Sequence, residues 1–304
     1  MNPLNNSIKF GTDGWRAIIA EDFTFNNVRI CAQAVAQHFR QNNLDGNGIL
    51  VGYDTRFASA DFARATAEVL ASSGIKVYLC PKATPTPVIS YGVTANKTGG
   101  AIIITASHNP PKWNGFKVKS PDGASAPTET IKLIEDIIKT THRVTYMPLQ
   151  VALEKGMVTY LDLTPNYTRQ MASLVDLEVL RNASLNIIND PMFGCGAGYF
   201  NMLIGGGKTC VREINSLPNP NFPGIKQPEP IAPNLLRLSA KVKEEKADIG
   251  IATDGDSDRI GIMDEHGNFL TQLQVYALLA LYLLEIRGER GAIIKSISTS
   301  GMIY

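Results

Sequence analysis

The sequence predicts an α/β protein of repeated α/β/α sandwich units with mostly parallel mixed sheets, the third unit incomplete. Short β-branched runs alternate with helical patterns along nearly the whole chain, which implies β-α-β crossovers and a sheet covered on both faces. The 304 residues allow about two domains, or a little more, at ~150 residues each. A segment, Gly100 to Ser107, also recurs in part at Gly291 to Ser298, with five identical positions and Ser296 standing for Thr105. Related units within one chain leave such echoes.

The elements follow in order. Ile8-Lys9-Phe10 reads as an opening strand that runs into a glycine turn. Residues 26–41 have helical periodicity, 48–54 are strand-like, and 60–72 form a second helix, with alanines and leucines at three- and four-residue steps. A strand over 76–80 and a buried one over 100–104 follow, then a helix over 127–140 and an irregular connection over 142–157. The second unit has a helix over 165–175 and a strand over 185–189. A glycine turn at 193–198 then opens a helix that ends at Gly205-Gly206-Gly207. After a strand over 209–214 comes a loop carrying Pro218, Pro220, Pro223, Pro228, Pro230 and Pro233, too proline-dense for an element interior. A helix over 235–246 and a strand over 247–252 complete the unit. The apolar stretch 273–286 contains Gln274 and Glu285 and falls short of the ~20 residues of a spanning helix, so it reads as a core helix. These patterns divide the chain into 1–150, 151–266 and 267–304, the last too short to close its own core, so that the chain reads as unfinished.

Charge excludes some partners. With 29 basic and 28 acidic residues, net +1, no chain-wide field recruits nucleic acid or an anionic membrane. A local basic pocket for a small anion stays compatible with that balance. Cys31, Cys80, Cys195 and Cys210 form no C-x-x-C pair and lie at no zinc-finger spacing from a histidine, which suits buried thiols of a reducing compartment. The opening Met1 to Asn6 lacks a secretory pattern, and the expectation is a soluble cytoplasmic protein.

Two segments carry the chemistry. Thr105-Ala106-Ser107-His108-Asn109-Pro110 follows the buried strand, placing Ser107 at the carboxyl edge of a sheet, where α/β proteins put their chemistry. Asn114-Gly115-Phe116-Lys117 reads as a turn returning a lysine to that edge. Asp254-Gly255-Asp256-Ser257-Asp258-Arg259 follows a strand, and three alternate carboxylates repel unless a cation or strong hydrogen bonds compensate them. Mg²⁺ is favoured over Ca²⁺, because only three protein oxygens are evident. An EF-hand fails: Glu265 falls at position twelve, but Arg259 replaces the glycine of position six and the flanks read as strands. Gly11-Thr12-Asp13-Gly14-Trp15-Arg16 offers two glycines for close approach and an arginine fork for phosphate.

Nucleotide motifs fare worse. Gly207-Lys208-Thr209 lacks a P-loop's first glycine, its place being taken by Met202. Gly194-Cys195-Gly196-Ala197-Gly198, with Glu213 beyond the next strand, has Tyr199 where a dinucleotide fingerprint closes on Gly or Ala. Ser107 has no G-x-S-x-G elbow, and His108, its immediate neighbour, is awkwardly placed as a triad base. Accepting and donating a phosphoryl group suits it better, since that chemistry needs in-line positioning and cations that offset charge.

Together these residues resemble the α-D-phosphohexomutases: Ser107-His108-Asn109-Pro110 with Asn114-Gly115-Phe116-Lys117 the phosphoserine loop, Asp254 to Arg259 the metal loop, and Gly11 to Arg16 the N-terminal phosphate-contacting motif. The Trp15 form resembles bacterial phosphoglucomutase/phosphomannomutase members more than the glucosamine-phosphate branch. The resemblance implies a four-domain enzyme that interconverts hexose 1-phosphate and hexose 6-phosphate through hexose 1,6-bisphosphate, with sugar phosphates as its small-molecule partners. It implies that Ser107 carries the phosphoryl group and, with Asp254, Asp256 and Asp258, holds one Mg²⁺. Lys117 would be the general acid/base, its pKa lowered by a neighbouring cation. His108 would position the reacting hydroxyl, Asn109 would bind phosphate, and Arg16 and Arg259 would stabilise the transferring charge. Members also carry a Gly-Glu-x-Ser-Gly-His sugar loop and a phosphate-gripping fourth domain, neither of which occurs before Tyr304. The expectation is therefore weak or no turnover by residues 1–304. A non-catalytic sugar-phosphate or metal-binding fragment and a phosphoglucosamine mutase are the alternatives.

Overall fold

A computed structural model describes residues 8–295. The first sheet collects β1 (Trp15–Ile18), β2 (Ile49–Tyr53), β3 (Val77–Leu79), β4 (Ala101–Ile104), β5 (Trp113–Lys119) and β6 (Val158–Tyr160) in the order β1-β5-β4-β2-β3-β6. Strands β4, β2, β3 and β6 are parallel neighbours, while β5 and β1 add antiparallel at one edge. Strand β6 lies past residue 150, so the first sheet draws on chain beyond the division expected there.

Two-residue alternation makes this sheet the middle of a sandwich. Ile49, Val51, Ile102 and Ile104 point to one core, with residues of α1 (Phe25–Gln41), α2 (Ser59–Ser72) and α4 (Thr128–Thr140). Leu50, Ala101 and Ile103 point to the other, with Val88, Ile89 and Val93 of α3 (Thr86–Ala95). Helix α1 begins where the Thr24 side chain accepts from the backbone N–H of Asn27, satisfying one of the first turn's orphan donors. Aromatic rings knit its base: Phe23 stacks on Trp15 at 4.9 Å and meets Phe62 edge-on at 4.8 Å.

After α5 (Leu149–Glu154), α6 (Thr164–Leu174) and α7 (Leu177–Asn182), a second sheet is built from β7 (Asn186–Asp190), β8 (Cys210–Glu213), β9 (Ile249–Thr253), β10 (Ile260–Met263) and β11 (Phe269–Leu270). Its order is β11-β10-β9-β7-β8, again parallel through β9, β7 and β8 with antiparallel β10 and β11 at one edge. It too has two cores. Ile188, Ala252 and Met263 pack with Leu238 and Val242 of α9 (Leu236–Glu245), and Ile187, Val211 and Ile251 pack with Ile204 of α8 (Tyr199–Ile204).

Several expectations need correction. No strand forms over 8–10: a bond from Gly11 N–H to the Gly14 carbonyl first turns the chain, and only then do Trp15 to Ile18 reach β5. The segment Asn114-Gly115-Phe116-Lys117 lies inside β5 and is no turn. Asn-Gly ordinarily favours turns, but here Phe116 and Val118 alternate inward and the buried Asn114 donates to Ser59 Oγ. Cys210 is exposed, unlike the other three cysteines, because β8 is the edge strand of its sheet. The apolar stretch near the end does form a helix, α10 (Gln272–Leu281), which continues as a π-helical turn over Tyr282–Ile286. It is no core helix: none of its residues is buried, and Leu279 is 56 % exposed. Nothing within the described residues covers its outer face. Of the echo of Gly100–Ser107, residues 291–295 hold no regular structure and 296–298 lie outside the described residues.

Replacing the fully buried Phe23 with alanine should cost ~3–5 kcal/mol in urea unfolding. A loss under about 1 kcal/mol would show that the aromatic base is not part of the cooperative core. In the native protein a thiol reagent should label Cys210 first, with Cys31, Cys80 and Cys195 reacting only on unfolding.

Candidate active site

Strand β4 ends at Ile104, and the next three residues are bound tightly to their surroundings. Thr105 Oγ1 donates to Asp54 Oδ2 at 2.6 Å and accepts from Ser107 N–H at 2.8 Å. Ser107 sits at φ +50°, a left-handed conformation that costs a non-glycine residue about 1–3 kcal/mol and persists where its surroundings over-determine it. That backbone turn sends Oγ across the seam between the two sheets, where it donates to Asp254 Oδ2 at 2.8 Å. His108 Nδ1 lies 3.2 Å from the same Oγ, so sequence neighbours do touch here.

The facing loop leaves β9. Asp254 Oδ1 folds it by accepting from the N–H groups of Asp258 and Arg259 at 2.9 and 3.0 Å. Ligand oxygens of Asp254, Asp256 and Asp258 all lie within 4.8 Å of one another. The first two side chains are buried and the third is exposed. Lys117, on β5 of the first sheet, reaches over to them: Nζ lies 2.9 Å from Asp256 Oδ2, 3.2 Å from Asp258 Oδ2 and 2.8 Å from Asp13 Oδ2. Thr86, at the start of α3, donates through Oγ1 to Asp256 Oδ2 at 2.7 Å and through its backbone N–H to the Asp256 carbonyl. Asp256 Oδ1 is left buried with no hydrogen-bond partner.

These contacts set the charges. Burial, and after it the charges of Asp256 and Asp258, push the Asp254 carboxyl well above the usual carboxylate range. Burial alone would raise Asp256 as well, but the Lys117 ammonium and the Thr86 hydroxyl hold it below that range. Burial alone would lower Lys117; its three carboxylate neighbours outweigh that and keep it charged. The protein's own groups therefore move this lysine upward, opposite to the lowering expected of it. Burial, with Arg259 close by, pushes His108 down toward the neutral imidazole.

The arginines stand at the rim. Arg16, on β1, donates from Nη1 to Asn109 Oδ1 at 2.8 Å and from Nη2 to Asp13 Oδ2 at 3.3 Å. Arg259 is paired with Glu229 of the proline-rich loop at 2.9 Å. All nine side chains singled out in the sequence thus come to one seam, Ser107, Lys117 and the aspartates in direct contact and Arg16, Asn109, His108 and Arg259 around them. Asp54, Arg56, Thr86 and Glu229 were missed. Asp54-Thr55-Arg56 carried a usable signal, being polar and charged at the end of a buried strand, whereas nothing local marks Thr86.

The glycine turn after β7 is accounted for without a nucleotide. Cys195 N–H donates to the Gly255 carbonyl at 3.2 Å, and a Cβ on Gly194 would meet that oxygen at 2.6 Å. Glu213 accepts from Gly198 N–H and Asn189 Nδ2. The glycines therefore let one backbone lie against the acidic loop.

Residues 7–144 match the phosphoglucomutase/phosphomannomutase alpha/beta/alpha domain I, and residues 165–267 match domain II of the same family. The "probable phosphoglucosamine mutase" of Methanothermobacter thermautotrophicus is 32 % identical over 304 aligned residues, which cover 94 % of this chain and 64 % of that one. The phosphoglucomutase/phosphomannomutase of Thermococcus kodakarensis is 29 % identical, with 97 % and 63 % covered. Among solved structures, the "putative phosphomannomutase" of Thermus thermophilus superposes with a TM-score of 0.87 at 35 % identity, covering 97 % of this chain and 65 % of that one. The chain spans a little under two thirds of the length of each of these relatives. With both domain matches in order along most of the sequence, the chain belongs to the phosphoglucomutase/phosphomannomutase family, the α-D-phosphohexomutases.

Proposed function

We propose that this chain carries the phosphoryl-transfer centre of a Mg²⁺-dependent phosphosugar mutase that interconverts hexose 1-phosphate and hexose 6-phosphate through a phosphoserine at Ser107 and a hexose 1,6-bisphosphate. The observation that carries the reading is the 2.8 Å contact between Ser107 Oγ and Asp254, which sets a hydroxyl of one unit against the acidic loop of the other. A polar turn with no chemistry to perform would have no need of a left-handed, buried serine facing three carboxylates.

The residues fit a divalent cation. Three carboxylate oxygens converge, one of the buried oxygens, Asp256 Oδ1, has no partner, and the donors are all hard oxygens of the kind Mg²⁺ prefers. Asp254, Asp256, Asp258 and the Ser107 oxygen or its phosphoryl group would hold one Mg²⁺, which when bound supplies neutralising charge to the transferring phosphoryl oxygens. The chain's own residues do the rest. Ser107 Oγ attacks phosphorus as the bond from phosphorus to the sugar oxygen breaks, and the reverse step returns the group to the other hydroxyl. Asp254, whose Oδ2 accepts from the Ser107 hydroxyl at 2.8 Å, is placed to take that proton. Lys117, kept charged, gives a proton to the departing sugar oxygen and regains one from the other sugar hydroxyl as that attacks the phosphoserine. His108 orients the reacting hydroxyl, and Arg16, Asn109 and Arg259 stabilise the phosphoryl charge at the rim.

A phosphoglucosamine mutase is the second reading, favoured by the name of the 32 % identical relative. A coupled assay with glucose 1-phosphate, mannose 1-phosphate and glucosamine 1-phosphate on the purified protein would separate the two.

Ser107→Ala should abolish phosphoryl uptake from a hexose 1,6-bisphosphate, read as the gain of one phosphoryl mass per chain in wild type and none in the variant; uptake by the variant at another residue would sink the carrier role. Asp256→Asn should weaken Mg²⁺ binding by ~10–100-fold in calorimetric titration, the range seen when a metal's ligand environment is disturbed. Unchanged affinity would show the acidic loop to be a structural turn.

A further inference from the structure

Arg56 stands just past β2, buried to 3 % exposure, and its guanidinium is committed almost wholly to one stretch of backbone. Nη2 donates to the carbonyls of Ser107 at 2.7 Å and Asn109 at 2.5 Å. Nη1 donates to the carbonyls of Pro110 at 3.0 Å and Trp113 at 3.1 Å. Nε faces Asp54 Oδ2 at 3.2 Å, and that carboxylate is itself held by Thr105 Oγ1, Ser59 Oγ and the Arg56 N–H. The ring of Phe222, from the second unit, covers the guanidinium at 5.1 Å.

Four carbonyl oxygens from residues 107–113 converge on one planar cation. Pro110 also accepts from the Trp113 N–H, but without the guanidinium the carbonyl of buried Ser107 and its neighbours would lose the cation on which they converge. Because the Ser107 carbonyl is one of the four, the same fork constrains the peptide that holds Ser107 at φ +50° and so the direction of its Oγ. An ammonium could not substitute, since its three donors radiate from a single atom and cannot span the carbonyls as a rigid fork does. With both terminal nitrogens committed to backbone carbonyls and Nε buried against Asp54, Arg56 has little left to offer a substrate.

We propose that Arg56 is a positioning residue for the phosphoryl carrier: it clamps the backbone of residues 107–113 from within, so that Ser107 Oγ is presented to Asp254 in a single orientation. The kinetic arm of this inference rests on the reading of Ser107 as carrier; the structural arm does not.

The test compares wild type, Arg56→Lys, Arg56→Met and Asp54→Asn by amide hydrogen exchange and by single-turnover phosphoryl uptake from glucose 1,6-bisphosphate. Both Arg56 variants should exchange faster in the peptide covering 105–113 while the acidic loop, 253–259, keeps its protection. Uptake at saturating bisphosphate should fall about 10–100-fold, the penalty of a misplaced reacting group, with the half-saturating concentration held within about twofold. Lysine should rescue little, because it restores the charge and not the fork. Asp54→Asn, which loosens the guanidinium without removing it, should give a smaller effect of the same kind, and decides the matter if the Arg56 variants do not fold. Loop exchange and uptake within about twofold of wild type in Arg56→Lys would overturn the proposal. So would a loss of protection spread evenly over the first unit. If wild type itself takes up no phosphoryl group, the carrier reading fails, and hydrogen exchange still decides whether Arg56 holds the loop.

Discussion

Two aspartates buried side by side cannot both keep their charge without an answer from elsewhere in the protein. Asp254 and Asp256 face that constraint at the seam between the sheets, and Lys117 of the first unit supplies the answer. The consequence reaches beyond electrostatics. The ammonium that compensates the second unit's loop is rooted in β5, whose neighbour β4 leads into Ser107. Charge compensation and placement of the hydroxyl therefore depend on the same pair of strands. Thr86 adds a third contact from α3, so three separate segments of the first unit touch one acidic loop of the second, while Asp13 of the first turn holds Lys117.

The two sheets solve the same geometric problem twice. In each, two or three parallel strands stand beside a strand whose chain reverses into an antiparallel neighbour: β4 into β5, β9 into β10. Each reversal contains a serine in the left-handed region, Ser107 at φ +50° and Ser257 at φ +59°. The orders β5-β4-β2-β3 and β10-β9-β7-β8 correspond strand for strand, and each gains an antiparallel edge strand, β1 from the start of the first unit and β11 from the end of the second. A shared frame thus presents a hydroxyl at one carboxyl edge and carboxylates at the other, and the candidate site is where the two edges meet. This kinship is far clearer in topology than in sequence, where the apparent echo of residues 100–107 fell instead near the end of the chain.

How much could be read in advance depended on whether the signal was local. The strand 100–104, the helix over 26–41 and the acidic run at 254–258 all show in short windows, because burial period and like-charge crowding are properties of neighbours. Helix α3 was hard to read, since it carries no charge and its less buried side offers only Ser90, Tyr91 and Thr94 as a polar stripe. Strand β5 was hidden by Asn-Gly, whose turn preference is overridden when Asn114 finds Ser59 in the core. Within the site, the same distinction holds. Ser107 and the aspartates announced themselves. The protonation of Lys117 did not, because the carboxylates that set it lie 139 and 141 residues away. The exposure of α10 likewise depends on what covers it, which no periodicity encodes.

Gly255 lies between two backbones. On one side is the turn at Gly194; on the other, a side chain at Gly255 would reach to 2.8 Å from the Ser107 carbonyl oxygen. Three main chains are stacked there like plates with nothing between them to compress. Such a stack leaves no room for a side chain at its centre. The place where the two units come nearest is therefore the place that fixes Ser107 on Asp254, while Arg16 and Arg259 stand farther out at the rim. Any substitution that thickens the centre would thus part the hydroxyl from the carboxylates before it disturbed the arginines at the rim.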